Sequence, residues 1–113
     1  MLEDRFVIEH VAEEETVVPA GGWLALVHGP DGLTVIRRDG DATHGTWIAL
    51  WSGDEPHDPE ATGMLSALVA PLAAREVPVM VASTYHADLI LVPAARVDAA
   101  VSALREAGHV VVQ

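Results

Sequence analysis

Apolar and polar residues alternate along the first part of the chain with the period of a β-strand. Residues 5–11 read RFVIEHV, which is rich in Phe, Val and Ile and predicts a strand. Residues 23–28 and 33–38 are two further β-rich runs. Between them, the Asp31-Gly32 step supplies the positive φ that a tight hairpin needs, so we expect the two runs to pair.

The middle of the chain changes from strand to helix. Residues 46–51 place bulky side chains on alternate positions and predict a strand, and residues 52–60 contain many loop-forming residues. A helix is then predicted over about residues 63–75, with Thr62 as its N-cap. Pro71 lies deep in this helix and removes one backbone donor, so we expect the helix to kink or tighten there.

The last third of the chain is predicted to hold two buried strands, a helix and a final strand. Residues 77–82 and 89–92 are short apolar runs, which are typical of central strands with both faces covered. An amphipathic helix follows, with Gly108 just past its end as the C′ residue. Residues 109–112 read HVVV and predict a strand. The apolar stripe of the helix consists of Val97, Ala100, Val101 and Leu104.

From residue 46 onward the predicted order is strand, helix, strand, strand, helix, strand. This βαββαβ order is that of a ferredoxin-like α+β fold, an antiparallel sheet with its helices on one face. Residues 1–45 supply a strand and a hairpin without a convincing helix. We therefore expect an abbreviated N-terminal lobe over residues 1–45 and a complete unit over residues 46–113.

The charge of the chain is strongly unbalanced. Six Lys plus Arg face seventeen Asp plus Glu, which gives a formal net charge of −11 at pH 7. This field repels phosphate backbones and anionic membrane surfaces. Half of the residues are hydrophobic, which indicates a globular chain, and the apolar runs are too short to span a bilayer. We expect neither nucleic acid nor a membrane as a partner.

Several kinds of chemistry find no support in the residue content. The chain has no cysteine, which excludes disulfides, thiolate metal sites and cysteine nucleophiles. Its six histidines are scattered over different predicted elements, so we expect no metal site and no cofactor. No serine lies in a G-x-S-x-G elbow, and we expect no enzyme. The acidic start of the chain is unlike a secretory signal, so we expect a cytoplasmic protein.

Two polar segments could form a small-molecule site. Residues 83–88 place hydroxyls, an aromatic ring and a carboxylate beside two apolar strands. Thr62 and Gly63 open a helix whose first amide groups have no partner within the helix. A free amino acid needs donors for its carboxylate and an acceptor for its ammonium group. The helix amides suit the first requirement and Asp88 suits the second.

Each of these residues also has an ordinary structural explanation. Asp88 can hydrogen-bond within its own hairpin, and Thr62 can serve as a cap alone. Gly63 lets a ligand approach the backbone, but it also suits close packing of a helix on a strand. Tyr85 can cover a ligand or rest on the core with its hydroxyl in water. The residues themselves leave these alternatives open.

Two motifs resemble the ACT domain family, and within it the CASTOR-like branch. Residues 63–73 fit a G-x-L-x-x-L-x-x-P-L-A helix, and residues 83–92 fit an S-T-Y/F-x-x-D-x-x-L-V hairpin at the expected separation. The resemblance implies a ferredoxin-like ACT fold and, in many members, a regulatory module that binds amino acids or other small metabolites between domains. In the CASTOR proteins it implies an arginine sensor.

The resemblance also implies a set of ligand contacts in this chain. This chain departs from the arginine sensors at Ala87, where a larger aromatic residue would help to enclose a long side chain. The ligand could therefore be a different or smaller metabolite. In the intervening loop, Asp54, Glu55, Asp58 and Glu60 could reach a cationic side chain. The expected contacts are Thr62, Gly63, Met64, Thr84, Tyr85, Ala87 and Asp88.

Two functions therefore follow as hypotheses. In the first, an amino acid bound between lobes or between two chains regulates association with a partner protein. In the second, the same fold is a structural interaction module that binds no metabolite. We expect a homodimer in either case, since a lone sheet of this kind leaves edge strands to be paired, although an intramolecular lobe could cover the same edge.

Overall fold

A computed structural model describes five stretches of the chain. They are residues 1–2, 4–11, 23–39, 45–53 and 62–112, and for Trp23 they include the backbone alone. Several features noted in the sequence lie outside these residues. They are the acidic run at 13–15, the four loop acids Asp54, Glu55, Asp58 and Glu60, and two of the histidines, His44 and His57.

Six strands and two α-helices form within the described ranges. In chain order they are β1 (Arg5–Val11), β2 (Trp23–Gly29), β3 (Gly32–Arg38), β4 (Trp47–Trp51), α1 (Met64–Ala74), β5 (Met80–Ser83), β6 (Asp88–Pro93) and α2 (Val97–Glu106). A 3₁₀ turn, Ala94–Arg96, leads from β6 into α2. Neither helix has the length and the apolar run that crossing a bilayer would require.

The six strands of the described ranges form one antiparallel sheet in the order β2-β3-β1-β4-β6-β5. The predicted hairpin is confirmed, since β2 pairs with β3 up to Gly29 and Gly32. Gly32 has a φ of 115°, a value that L side chains rarely adopt. The fold is thus α+β with an antiparallel sheet. The division of the chain at residue 45 stays a prediction.

One face of the sheet is covered by both helices. Leu50 of β4 and Ile90 of β6 share a buried cluster with Leu72 of α1 and with Ala100 and Leu104 of α2. The stripe predicted for the second helix is confirmed in its buried part, because Ala100, Val101 and Leu104 are all buried. Burying these side chains supplies the main stabilisation of this half of the molecule.

The other face of the sheet carries a second apolar cluster. Phe6 of β1 and Ile36 of β3 share it with Ala49 of β4 and with Leu89 and Leu91 of β6. β6 is therefore covered on both faces, as the apolar run at residues 89–92 predicts. This cluster includes both the N-terminal strands and the βαββα unit, so the two parts share a core.

Helix α1 continues through Pro71 because another part of the chain replaces the missing donor. Proline has no N–H, so the carbonyl of Ala67, four residues earlier, loses its usual partner. The Nε2 of His109 lies 2.9 Å from that oxygen. A carbonyl oxygen can only accept, so Nε2 donates this hydrogen bond.

The strand predicted at residues 77–82 begins only at Met80. Helix α1 ends in a Schellman motif: Val77 N–H donates to Leu72 O at 3.0 Å and Glu76 N–H to Ala73 O at 3.0 Å. Val77 is thus held against the helix end and cannot join the sheet. β5 is also an edge strand rather than a central one, and its Met80 is 37% exposed.

The strand predicted at residues 109–112 does not form. In a βαββαβ sheet the last strand lies beside the first, but here that side of β4 is occupied by the N-terminal segment. Leu2 N–H donates to Ala49 O at 2.9 Å, and β1 pairs with the start of β4. The N-terminal amine donates to Val112 O at 2.7 Å. This bond holds the C-terminal segment next to the N-terminal segment rather than next to β4.

Candidate functional site

The ends of three strands meet at one edge of the sheet. Trp51, the last residue of β4, pairs with Leu89 of β6, and Ser83, the last residue of β5, pairs with Asp88, the first residue of β6. Ser52 follows β4 directly and is thus brought opposite Asp88. The register of the two strand pairs, rather than any local motif, brings these three polar residues together.

Alternation along the strands places this polar group on the helix side of the sheet. Leu50, Val81 and Ile90 pack in the cluster that the helices cover. Since side chains alternate with a period of two, Ser52, Ser83 and Asp88 share the face of Leu50, Val81 and Ile90 respectively. The three residues form the polar end of an otherwise apolar surface, and we refer to them as the Asp88 cluster.

Hydrogen bonds within the Asp88 cluster involve both the side chain and the backbone of Asp88. Ser83 Oγ donates to Asp88 Oδ1 at 2.8 Å. The backbone N–H of Asp88 donates to Ser52 Oγ at 2.7 Å, while Ser52 Oγ donates to Asp88 O at 3.2 Å. The backbone N–H of Ser52 also donates to Asp88 O, at 3.0 Å. Both serines therefore restrict how Asp88 can move.

Asp88 is a buried acidic residue with a relative exposure of 5%. Removing a carboxylate from water is costly unless hydrogen bonds or an opposite charge replace the lost hydration. Acidic residues are seldom buried to this degree, and those that are often have a binding or structural role. The burial and the Ser83 bond agree with both alternatives left open by the sequence: a hairpin contact and a ligand contact.

In the turn after β5, some of the predicted ligand-contact residues are buried and others are exposed to solvent. Thr84 N–H donates to Ala87 O at 2.8 Å, and Thr84 Oγ1 donates to the same oxygen at 3.3 Å. Tyr85 and His86 therefore lie at the tip, where their rings meet edge to face at a centroid distance of 4.7 Å. Tyr85 is 73% exposed, whereas Ala87 is 1% exposed. The ring of Tyr85 does not rest on the core.

The start of α1 differs from the prediction in its capping residue. Gly63, not Thr62, is the N-cap, with φ 78° and no side-chain hydrogen bond to the cap. This left-handed conformation favours glycine. A Cβ built on Gly63 would meet nothing within 4 Å, so the space beside this residue is open. Thr62 and Met64 are both exposed.

The N-cap Gly63 has no side chain to bond the amide groups of the first turn of α1, so within the described part of the chain these amides keep their capacity to bind an acceptor. Among the described residues, the side chain that bonds at this end is that of Ser66, whose Oγ donates to Gly63 O at 3.2 Å and so satisfies a carbonyl rather than an amide. Leu65, one residue after the start of α1, packs against the cluster of Leu50 and Ile90. Helix α1 thus covers the same face of the sheet as the one that carries the Asp88 cluster.

Ser52 is the residue of this cluster that the sequence patterns did not single out. It falls in a stretch that shows only loop signals, and its role depends on the register between β4 and β6. The signal that could have indicated it is its position, directly after the strand predicted at residues 46–51. Ser83, in contrast, belongs to the hairpin motif noted in the sequence.

Trp51 and Gly53 flank Ser52 and form a tight corner. A Cβ on Gly53 would lie 1.9 Å from Trp51 Nε1, so only glycine leaves room for the indole ring there. Trp51 is 40% exposed. It lies on the face opposite Asp88, since it alternates with Ser52 along the chain.

Comparisons with known proteins agree with this fold. The ACT domain family model matches residues 43–106, a range that includes β4, α1, β5, β6 and α2 and more than half of the chain. The chain therefore belongs to the ACT domain family. No curated protein matches its sequence.

Two solved structures resemble the whole chain. The crystal structure of protein Atu0741 from Agobacterium tumefaciens matches with a TM-score of 0.78 and 20% identity, over 96% of this chain and 87% of that one. Protein VC0802 from Vibrio cholerae, a protein of unknown function given there as a possible transport protein, matches with a TM-score of 0.68 and 20% identity. This match covers 91% of the present chain and 83% of that one. At this identity the likeness concerns the fold.

Proposed function

We propose that the chain is a regulatory protein that binds a free amino acid, with Asp88 as the acceptor for the ligand's ammonium group. The observation that supports this most directly is the buried carboxylate of Asp88, held by Ser83 at the start of β6 on the sheet face that α1 covers. Membership of the ACT domain family supports it independently.

The two ends of a zwitterion find complementary groups in this arrangement. Asp88 accepts hydrogen bonds from an ammonium group, and a carboxylate has capacity for several donors, so the bond from Ser83 is compatible with a further one. The uncapped amides of α1 receive the ligand's carboxylate, aided by the helix dipole. The open space beside Gly63 lets the ligand approach the backbone there.

The particular ligand and its position are finer parts of the same proposal. The ligand is held at an interface, between the two lobes or between two chains, and its binding shifts association with a partner protein. Arginine is one candidate because of the CASTOR-like motifs. Ala87 stands where a larger aromatic residue would help to enclose a long side chain, so a ligand with a shorter side chain than arginine fits the proposal better.

A thermal-shift screen against each of the twenty amino acids tests the proposal. A ligand at about 100 times its dissociation constant adds roughly 2.7 kcal/mol to the free energy of unfolding, which raises the melting temperature of a domain of this size by several degrees. Asp88→Asn should abolish the rise. Asp98→Asn, the same change at an exposed position of α2, is the matched control and should retain it.

The outcome for each variant separates the possibilities. A rise that is lost in Asp88→Asn and kept in Asp98→Asn supports amino-acid binding through Asp88. A rise that survives in Asp88→Asn shows that the ligand binds elsewhere and contradicts the role of this carboxylate. A wild-type protein whose melting temperature responds to none of the twenty contradicts amino-acid binding itself.

A second candidate function is a protein interaction module that binds no metabolite. The observation that favours it is the pair of open sheet edges, β2 and β5, among the described strands. Val27 on β2 is 55% exposed and Met80 on β5 is 37% exposed. Edge strands with exposed apolar residues readily pair with another chain. β1 already covers one side of β4, so a homodimer would form through β2 or β5.

Sedimentation velocity of the wild type, Val27→Lys and Met80→Lys tests this second candidate. A lysine on an interface edge should convert a dimer to a monomer, because it places a charge in the contact. The two variants serve as controls for each other, since only one of them lies at the interface. A wild-type monomer at all concentrations contradicts the homodimer.

A further inference from the structure

We propose that Ser52 and Ser83 are positioning residues for Asp88: Ser83 fixes the orientation of its carboxylate and Ser52 fixes its backbone. The inference rests on the proposed function in so far as Asp88 is a ligand contact. It extends that function, since neither serine was among the expected contacts, and it assigns them the task of holding the acceptor in place before a ligand arrives.

The role of Ser83 follows from its hydrogen bond to the side chain of Asp88. Ser83 ends β5 and pairs in register with Asp88, so the two side chains lie side by side on one face. The 2.8 Å bond from Ser83 Oγ ends on Oδ1 and thereby restricts rotation about χ1 and χ2 of the acid. A carboxylate held in one orientation loses less conformational entropy when a ligand binds.

The role of Ser52 follows from its position at the point where β4 leaves the sheet. Its hydroxyl accepts from Asp88 N–H at 2.7 Å and donates to Asp88 O at 3.2 Å. The side chain of Ser52 thus adds hydrogen bonds to Asp88 at the end of the backbone ladder between β4 and β6. Ser52 in turn is held by its neighbours, since the Trp51 indole lies against Gly53. Asp88 is thus bonded to the residue that directly follows the paired strand β4.

The two serines have different expected effects when they are truncated. Ser83→Ala removes the bond to the carboxylate and leaves the backbone bonds of Asp88 in place. Ser52→Ala removes the acceptor of the Asp88 N–H and leaves the bond from Ser83 to Oδ1. Ser83→Ala should therefore loosen the side chain of Asp88, and Ser52→Ala should loosen its backbone.

Nuclear magnetic resonance measures both effects without any ligand. The three-bond couplings from backbone N and C′ to Asp88 Cγ should report one χ1 rotamer in the wild type and an average in Ser83→Ala. Amide exchange of Asp88 should be about tenfold faster in Ser52→Ala, while the amides of Leu91 and Val92 in the core of β6 change far less.

Conservative variants and a matched serine control distinguish positioning from a general loss of stability. Ser83→Thr and Ser52→Thr keep the hydroxyl and should restore the wild-type couplings and exchange rate. Ser102→Ala, an exposed serine on α2, should change neither. Couplings in Ser83→Ala that equal those of the wild type overturn the role of Ser83. An Asp88 exchange rate in Ser52→Ala that equals that of Ser102→Ala overturns the role of Ser52.

A ligand-dependent measurement links these roles to binding. Each of the twenty amino acids is titrated into the wild type and the serine variants by calorimetry. For any amino acid that binds the wild type, Ser83→Ala should weaken the affinity about tenfold and Ser83→Thr should restore it. Equal affinities in Ser83→Ala and the wild type contradict a positioning role in binding. A wild type that binds none of the twenty refutes the proposed function, while the couplings and exchange rates still decide whether the serines hold Asp88.

Discussion

The hydrogen bond that His109 donates to Ala67 O leads to a quantitative prediction, because it replaces the helix hydrogen bond that Pro71 cannot donate. In an uninterrupted helix the Ala67 carbonyl would accept the N–H of residue 71. In this chain it accepts Nε2 of His109 at 2.9 Å instead. The contribution of His109 to stability should therefore depend on the residue at position 71.

The magnitude follows from the type and exposure of the bond. A hydrogen bond contributes roughly 0.5–1.5 kcal/mol net to the free energy of unfolding. The bond from His109 lies at the surface, where water can partly replace the lost donor. We therefore expect His109→Ala to lower stability by about 1 kcal/mol more in the natural background than in a Pro71→Ala background, where the new amide satisfies Ala67 O. For a domain of this size, about 1 kcal/mol corresponds to about 4 °C in melting temperature.

A double-mutant cycle isolates this coupling. Urea unfolding is followed by circular dichroism for the wild type, His109→Ala, Pro71→Ala and the double variant. Any packing that the imidazole makes elsewhere is lost in both backgrounds and cancels in the difference. His28→Ala on β2 serves as the matched histidine control and should show no coupling to position 71. A coupling below about 0.3 kcal/mol, within the error of additive sites, would refute the reasoning.

Further predictions concern the helix ends, the Trp51 corner and the core. Glu76 has a φ of 56° at the end of α1, and Gly108 has a φ of 95° at the end of α2. Glycine suits this left-handed region, so Glu76→Gly should stabilise the protein by about 0.5–1 kcal/mol and Gly108→Ala should destabilise it by about 1 kcal/mol. Urea unfolding measures both changes. Equal signs for the two variants would contradict the argument. Gly53→Ala should displace the indole of Trp51, which shifts tryptophan emission to longer wavelength and lowers the free energy of unfolding by about 1 kcal/mol. An unchanged emission spectrum would show that the contact between Trp51 and Gly53 is looser than described. Leu91→Ala should cost about 2–5 kcal/mol in thermal unfolding because Leu91 has no exposed surface, and a cost below 1 kcal/mol, roughly, would place it outside the core.

Much of the fold was predictable because it depends on local patterns. The Asp31-Gly32 turn, the strand pairs that flank it, the helix containing Pro71 and the Gly108 end of α2 all follow from turn chemistry, periodicity and capping over a few residues. The apolar run at residues 89–92 likewise predicts the covered strand at the centre of its half of the sheet. Resemblance of the two motifs to the ACT domain family pointed to the same architecture.

The errors arose where two parts of the chain compete for one place. Residues 109–112 have the composition of a strand, but the side of β4 that they would occupy is taken by Leu2 and β1. Val77 has a strand-like pattern and instead completes the end of α1. A sequence pattern reports what a segment prefers and carries no information about whether the neighbouring place in the sheet is already filled.

The candidate site shows the same division. The sequence by itself determined that a carboxylate and hydroxyls follow an apolar strand, that a helix starts near Gly63, and that the strong negative charge disfavours nucleic acid. Only the tertiary structure decided that Asp88 is buried, that Tyr85 points into solvent and that Ser52 bonds to Asp88 from another strand. The physical reason is that burial and cross-strand contacts depend on register, which is fixed by the packing of both sheet faces together and not by the residues of any one strand.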